Sequence, residues 1–219
     1  MNKQPINSAI TQDEVLSLFQ KSFEKQDEEN RNLVELFHEQ IGAELLALKM
    51  KINQAEISDQ LKSYVEENLN GIVQKIKAYS NELFPMSLDQ LGFEQAFNSR
   101  IRSYQLNNQV NIQVKKLFRE KITLQPKIAT AMFFIIDEII KNCLAHAKCD
   151  TIEINLLSKT PFKMEIIDNG TGFECSMSNL RLEHSGLNKI ICRAKAIDAK
   201  VKFEKLPLAG SKVNICVHE

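Results

Sequence analysis

Apolar and polar positions follow one rhythm through the first third of this chain and another beyond it. Between about residues 11 and 53, Leu33, Phe37, Ile41, Leu45, Leu48 and Ile52 stand 4, 4, 4, 3 and 4 apart in a background of Glu, Lys and Gln. That spacing puts one apolar stripe on a helix. After a polar gap near 53–58, Leu61, Val65, Leu69, Ile72, Ile76, Tyr79 and Leu83 repeat at 4, 4, 3, 4, 3 and 4, close to a coiled-coil repeat. Before residue 100 glycine occurs only at 42, 71 and 92 and proline only at 5 and 85, which favours long helices. So short a turn predicts an antiparallel hairpin. A lone hairpin exposes its stripe, so a homodimer packed as a four-helix bundle is expected.

The rhythm changes at Phe84-Pro85, because the residue before a proline is pushed out of helical geometry. A short helix is expected over about 88–104 and a strand in the alternating stretch 110–114. An apolar helix over about 126–146 and strands at 151–157 and 163–167 follow. A polar loop carrying Gly170 and Gly172 leads to a helix over about 186–197. Strands at 201–204 and 212–217, joined through Pro207 and Gly210, close the chain. Helices and strands mixed without strict alternation predict an α+β sandwich, one sheet covered by helices on a single face. The expected division is 1–22 as an N-terminal stub, 23–86 as the hairpin and 87–219 as the α+β domain.

Composition narrows the picture. Lys plus Arg and Asp plus Glu number 28 each, so no bulk field recruits nucleic acid or an anionic membrane. The N-terminus has no apolar leader and no run reaches the roughly 18 apolar residues of a membrane span; a cytoplasmic protein is expected. The five cysteines, Cys143, Cys149, Cys175, Cys192 and Cys216, form no Cys-x-x-Cys pair, and their spacing suggests reduced structural thiols, not a zinc site.

Candidate chemistry gathers in the second half. Glu138 and Asn142 stand i, i+4 on one helix and project from the same face. The strand through Ile166 and Ile167 runs into Asp168-Asn169-Gly170-Thr171-Gly172. A carboxylate at a strand end followed by glycines provides an acceptor for an exocyclic amine and backbone that a ligand can approach closely. The amide oxygen of Asn142 is a hard ligand of the kind Mg²⁺ prefers. Ser185-Gly186-Leu187 opens the next helix, whose N-terminus suits phosphate. Each element alone is ordinary; Asp-Asn-Gly is most often a plain turn and an exposed Glu-x-x-x-Asn a solvated pair. Their order and spacing carry the signal.

Over about residues 88–219 the chain resembles the GHKL ATPases, which include histidine kinases, gyrase-type topoisomerases, Hsp90 and MutL. IIDEIIKNCLAHAKCDTIEINL is similar to their N box, IIDNGTGF to their G1 box, and HSGLNKIICRAKAIDAKVKFEKLPLAGSKVNI to their G2 region and closing strands. The resemblance implies a Bergerat fold that binds ATP with Mg²⁺. Asp168 would meet the adenine amine, Asn142 would hold the metal, and Glu138 would stand near the γ-phosphate. Gly170, Gly172, Gly186 and Leu187 would shape the nucleotide loop, Lys141 and His146 would approach phosphates, and Ser211 matches the hydroxyl of the last hairpin. For Lys141 a solvated surface position is an equal reading. His184 stands where a glycine is usual, and only 12 residues separate Phe173 from Gly186, a short lid.

In the first half, LFHEQIG at 36–42 resembles the His-Asp/Glu-x-x-Gly phosphoacceptor motif of histidine kinases related to nitrate and membrane-fluidity sensors. That branch has a short lid and two bundle helices before its ATPase domain. Phe37 and Ile41 point into the stripe, and His38, about 100° round the helix from Phe37, sits at its edge. Glu39 is placed to orient the imidazole and take its proton. The resemblance implies autophosphorylation of His38 and transfer to an aspartate of a response-regulator receiver domain, with a hinge around residues 83–91. Ala43 replaces the usual glutamine, which implies weak phosphatase activity, and Asn30, Asn32 and Glu35 stand where basic residues are usual. No sensor domain fits in the first 20 or so residues, so the sequence reads as an excised core or as the partner of a separate sensor chain. Two alternatives stay open: a histidine phosphotransferase with a degenerate ATPase-like domain, and an anti-sigma-type serine kinase.

Overall fold

The computed structural model describes residues 12–172 and 186–218. These fall into two compact units, residues 24–90 in one, and residues 91 onward together with those up to Phe23 in the other.

The helical unit is built on α1 (Gln12–Leu36), a π-helical turn (Phe37–Ile41), α2 (Gly42–Gln54), α3 (Asp59–Leu83) and the short α4 (Ser87–Leu91). The first long helix expected from the stripe is therefore interrupted in register. At the π turn the Gly42 N–H reaches the Phe37 carbonyl, which adds one residue to the turn and rotates the stripe that follows. Ala55 leaves helical geometry at ψ 142. Ser58 caps α3, its Oγ accepting from Leu61 N at 3.4 Å, as an N-cap serine does. Lys62 Nζ donates to Asn53 O at 2.7 Å and Lys49 Nζ to Asn70 Oδ1 at 3.4 Å, tying the two arms. Leu69 is buried, yet Leu48, Leu61, Ile72 and Tyr79 stay 45–63% exposed. Burial is complete only at the base, where Val34, Ser80, Phe84 and Leu88 pack together at 0–5% exposure.

The single helix expected over 88–104 is two pieces, α4, which closes the helical unit, and α5 (Phe93–Asn108), which opens the other. Gly92 lies between them at φ 84, ψ 175, a region essentially closed to residues with a Cβ. Five strands follow: β1 (Asn111–Lys116), β2 (Thr151–Ser158), β3 (Phe162–Asp168), β4 (Lys200–Lys205) and β5 (Ser211–Val217). Their order is β1-β2-β3-β5-β4, with β1 parallel to β2 and the other pairs antiparallel. Ile154, Ile166, Val213 and Phe203 share one cross-strand row that faces the helices. The neighbouring row, Asn155, Glu165, Asn214 and Lys202, is polar. Because side chains alternate along a strand, one face is apolar and one is wet, and the α+β architecture with helices on a single face is what forms.

Helix α6 (Pro126–Asn142) has Pro at its first turn, the position where the missing N–H costs nothing. It buries Ile128, Met132, Phe133, Ile135, Ile136, Ile139 and Ile140 and packs on α5 and on α7 (Gly186–Ala196). Its buried carboxylate, Asp137, accepts from Tyr104 Oη at 2.8 Å and pairs with Arg100 Nε at 3.1 Å, a polar clamp between α5 and α6. A π-helical turn, Cys143–Ala147, ends α6, and Lys148 at φ 50 turns the chain back toward β2.

Candidate functional site

Three chain segments converge where β3 ends. Asp168 is the last residue of β3 and is 5% exposed. Its Oδ1 accepts from Gly170 N at 2.8 Å, and among the described residues its Oδ2 accepts from the thiol of Cys143, at 3.7 Å. Burial, followed by the neighbouring Asp168 carboxylate, pushes the Cys143 thiol well up, so it stays protonated as a weak donor. Asp168 also lines a cavity.

That cavity, about 120 Å³, lies between the inner face of the sheet and helices α6 and α7. Ile139, Ala147, Leu187, Ile190, Phe203 and Val213 give it apolar walls, and Asn142, His146, Asp168, Gly172 and Ser211 supply its polar groups. Ser211 is 5% exposed, and its Oγ has no hydrogen-bond partner among the described residues. A buried hydroxyl left without a partner is costly, and one beside a carboxylate in an apolar slot marks a place for a flat ligand with a polar edge.

The glycines act through close approach. A Cβ on Gly170 would lie 2.3 Å from the Ala147 carbonyl oxygen, so only glycine lets the loop seat against the π turn, where Thr171 N also donates to Ala147 O at 2.9 Å. Gly172 lies at φ 82 and lines the cavity. Asn169 is structural: its Oδ1 accepts from the backbone N–H of Asp150 and Thr151 at 3.2 and 3.1 Å, fastening the loop to the start of β2.

At the mouth, Gly186 opens α7 so tightly against α6 that a Cβ there would be 2.2 Å from Glu138 Oε1 and 2.9 Å from Asn142 Oδ1. Glu138 and Asn142 share one face of α6, as the i, i+4 spacing predicted, and Gly186 is their neighbour. Lys141 is not with them. Its Nζ lies 2.8 Å from Asp137 Oδ2, on the flank of α6 that faces α5. One residue of offset turns a side chain about 100° round a helix, enough to take Lys141 away from the cavity. The expected approach of Lys141 to phosphate is corrected accordingly.

Several lining residues were not singled out from the sequence: Cys143, Ile139, Ile190, Phe203, Val213 and, near the mouth, Lys189, whose Nζ stands 3.6 Å from Glu138 Oε2. The sequence places Gly210 in the turn that joins the last two strands. It lies at φ 87, and a Cβ would sit 1.9 Å from the Asp168 carbonyl oxygen, so the last hairpin presses on the backbone that carries the carboxylate. Only the last pressed contact had a signal, a glycine directly before a hydroxyl residue. Phe173, Cys175, His184, Ser185 and the rest of the expected lid lie outside the described residues.

In the helical unit, His38 and Glu39 occupy the π turn and are both exposed. No hydrogen bond joins their side chains among the described residues, since sequence neighbours on a helix do not face one another. The expected hold of Glu39 on the imidazole is thus not formed. His38 is exposed inside this π turn.

Among the described residues no group of three or more His, Cys, Asp and Glu could hold a metal ion. A cation caged wholly by protein is not what these residues fit. A magnesium ion that keeps waters and shares ligand oxygens fits the Asn142 amide oxygen at the cavity mouth. No helix among the described residues is long and apolar enough to cross a membrane.

A buried strand-end carboxylate, glycines at its lip and an asparagine on the covering helix thus share one apolar pocket of the α+β unit. The chain is 26% identical over 165 residues to the oxygen sensor histidine kinase NreB of Staphylococcus carnosus, a match covering 72% of this chain and 47% of that one. It spans about half the length of the curated relative it matches. A solved histidine kinase domain, from the Erythrobacter litoralis EL346 blue-light activated histidine kinase, aligns at TM-score 0.48 and 14% identity over 80% of this chain and 95% of its own. The ATP binding domain of PrrB from Mycobacterium tuberculosis aligns at TM-score 0.44 and 15% identity over 57% and 92%. No protein-family model matches the chain. In sequence the chain is thus similar to an oxygen sensor histidine kinase.

Proposed function

We propose that this chain is the catalytic core of a two-component sensor histidine kinase: it binds ATP in the α+β domain and transfers the γ-phosphoryl group to His38. The observation that carries this is the pairing of a buried carboxylate oxygen, Asp168 Oδ2, with the unpartnered Ser211 hydroxyl in one apolar slot. An adenine ring buries its faces against Leu187, Ile190 and Phe203 and gives its amine to Asp168. Asn142, Glu138, His146 and the N-terminus of α7 then surround the triphosphate. Magnesium at Asn142 supplies charge neutralisation of the phosphate oxygens.

At His38 an imidazole nitrogen forms the P–N bond as the bond to the ADP oxygen breaks, and Glu39 takes the ring proton once its side chain swings round. Phosphoryl transfer of this kind depends on positioning more than on covalent help from the protein. Two hairpins packed on their exposed stripes make the homodimer, and a receiver-domain aspartate takes the phosphoryl group from His38. The stimulus arrives through a sensor region or a separate sensor chain. The setting is cytoplasmic, where ATP and response regulators are found.

Titration calorimetry with ADP and Mg²⁺ tests the pocket. Wild type is expected to bind, and Asp168→Asn to lose about 10- to 100-fold in affinity, the range for one hydrogen bond to a charged group. Labelling with γ-labelled ATP tests the rest: acid-labile label in wild type and none in His38→Gln is expected, with ADP affinity the same in both. Equal labelling of the two proteins removes His38 from the mechanism, and acid-stable label points to a serine kinase instead.

A further inference from the structure

The segment that follows the hairpin is fastened to it by one arginine. Arg31 lies on α1, and its guanidinium pairs with Asp89 of α4: Nη2 donates to Oδ1 at 3.4 Å, while Nε lies 3.2 Å from Oδ2 without hydrogen-bond geometry. The same guanidinium lies 4.7 Å from the centroid of the Phe84 ring. Phe84 is fully buried and Leu88 nearly so, so residues 84–89 lie along the base of the hairpin as part of that unit. The planar guanidinium suits both contacts at once, a carboxylate at its edge and an aromatic ring at its face, which a lysine does not match. Arg31 stands seven residues before His38 on the same helical run, roughly 10 Å along the axis.

We infer that Arg31 and Asp89 are a positioning pair for phosphoryl transfer: by holding residues 84–89 against α1 they set how closely the nucleotide-binding domain is tethered to His38. This rests on the kinase reading above. With the pair closed, only Gln90 and Leu91 lie between the anchored segment and Gly92. Gly92 adopts a conformation open only to glycine, with nothing within 4 Å of a Cβ built there. With the pair open, the free tether lengthens to the eight residues from Phe84 to Leu91. The local concentration of a tethered group falls roughly as the −3/2 power of tether length, which sets a ceiling of about eightfold on the loss. The buried Phe84 and Leu88 side chains keep part of the anchor, so the observed loss lies below that ceiling.

The test uses Arg31→Asp, Asp89→Arg and the double swap in the whole chain, with two readouts. Each single variant is expected to slow labelling of His38 by about three- to eightfold at saturating ATP, with KM for ATP and ADP affinity within twofold of wild type. The double swap is expected to restore the rate. Hydrogen exchange of the Leu88 and Gln90 amides, which donate to Pro85 O and Met86 O, is expected to quicken in the single variants and slow again in the double. Label in wild type with unchanged rates in the single variants overturns this inference and leaves the kinase reading intact. Slowed labelling that the double swap does not restore overturns it as well. A wild type that binds ADP yet takes no label on His38 overturns the kinase reading, and this inference with it.

Discussion

The two units of this protein start from equally strong apolar patterns and end with different amounts of dry surface. In α6, Ile135, Ile136, Ile139 and Ile140 are all at most 3% exposed, because a sheet and two further helices close over them. In the hairpin, Leu48, Leu61, Ile72 and Tyr79 repeat just as regularly and remain about half exposed, because two helices alone cannot enclose a stripe. A periodic stripe states which residues leave water, and the number of available layers decides whether they do. The α+β unit finishes its core by itself. The hairpin is left with an apolar face of the kind a second copy covers.

That contrast can be broken in order of expected size. Ile135→Ala should cost the α+β unit about 2–5 kcal/mol, as deletions in a closed core do, measured by urea unfolding and independent of protein concentration. A concentration-dependent loss would mean that this core is not closed within one chain. Gly210→Ala should destabilise by about 1–3 kcal/mol through its positive φ and weaken ADP binding as well, since the new methyl displaces the backbone of Asp168; thermal melts and calorimetry report the two effects. Leu61→Gln with Ile72→Gln should shift the chain toward monomer in sedimentation at micromolar concentration while leaving ADP affinity unchanged. No change in mass would assign the exposed stripe to some other cover.

The smallest effect lies on the wet face of the sheet. The hydrogen bond from Lys212 holds the Glu165 carboxyl below the ordinary carboxylate range, helped by Asn155 Nδ2 at 3.0 Å, while the same contact raises Lys212. A folded carboxyl held below its unfolded value stabilises the protein above the ordinary carboxylate range. That contribution is lost as pH falls through the depressed value. Glu165→Gln should therefore cost roughly 1 kcal/mol or less at pH 7 and progressively less as pH falls below the ordinary carboxylate range, read from the difference in melting temperature.

The hairpin, the strands and the Asp168 loop were legible because each rests on local rules: a 3.6-residue stripe, alternation along a strand, and glycines after a strand-end carboxylate. Lys141 was misplaced because position along a helix says less than angle round it, and Asp137 one turn earlier captured its charge. The break at Gly92 was missed because an isolated glycine among helical residues reads as tolerated until its φ is known. Cys143 was passed over as a core thiol, which it is, although its proton also points at Asp168.

Sequence by itself determined the order of elements, the two apolar stripes, the wet and dry faces of the sheet, and the pairing of Glu138 with Asn142 on one side of α6. All of these follow from periodicities that the backbone imposes wherever it is helical or extended. Tertiary structure decided what neighbours what across long stretches of chain: the hydroxyl of Ser211 left alone near Asp168, Gly210 pressed on the Asp168 carbonyl, Arg31 gripping Asp89. Such contacts depend on how layers and loops pack, and no local periodicity carries that information.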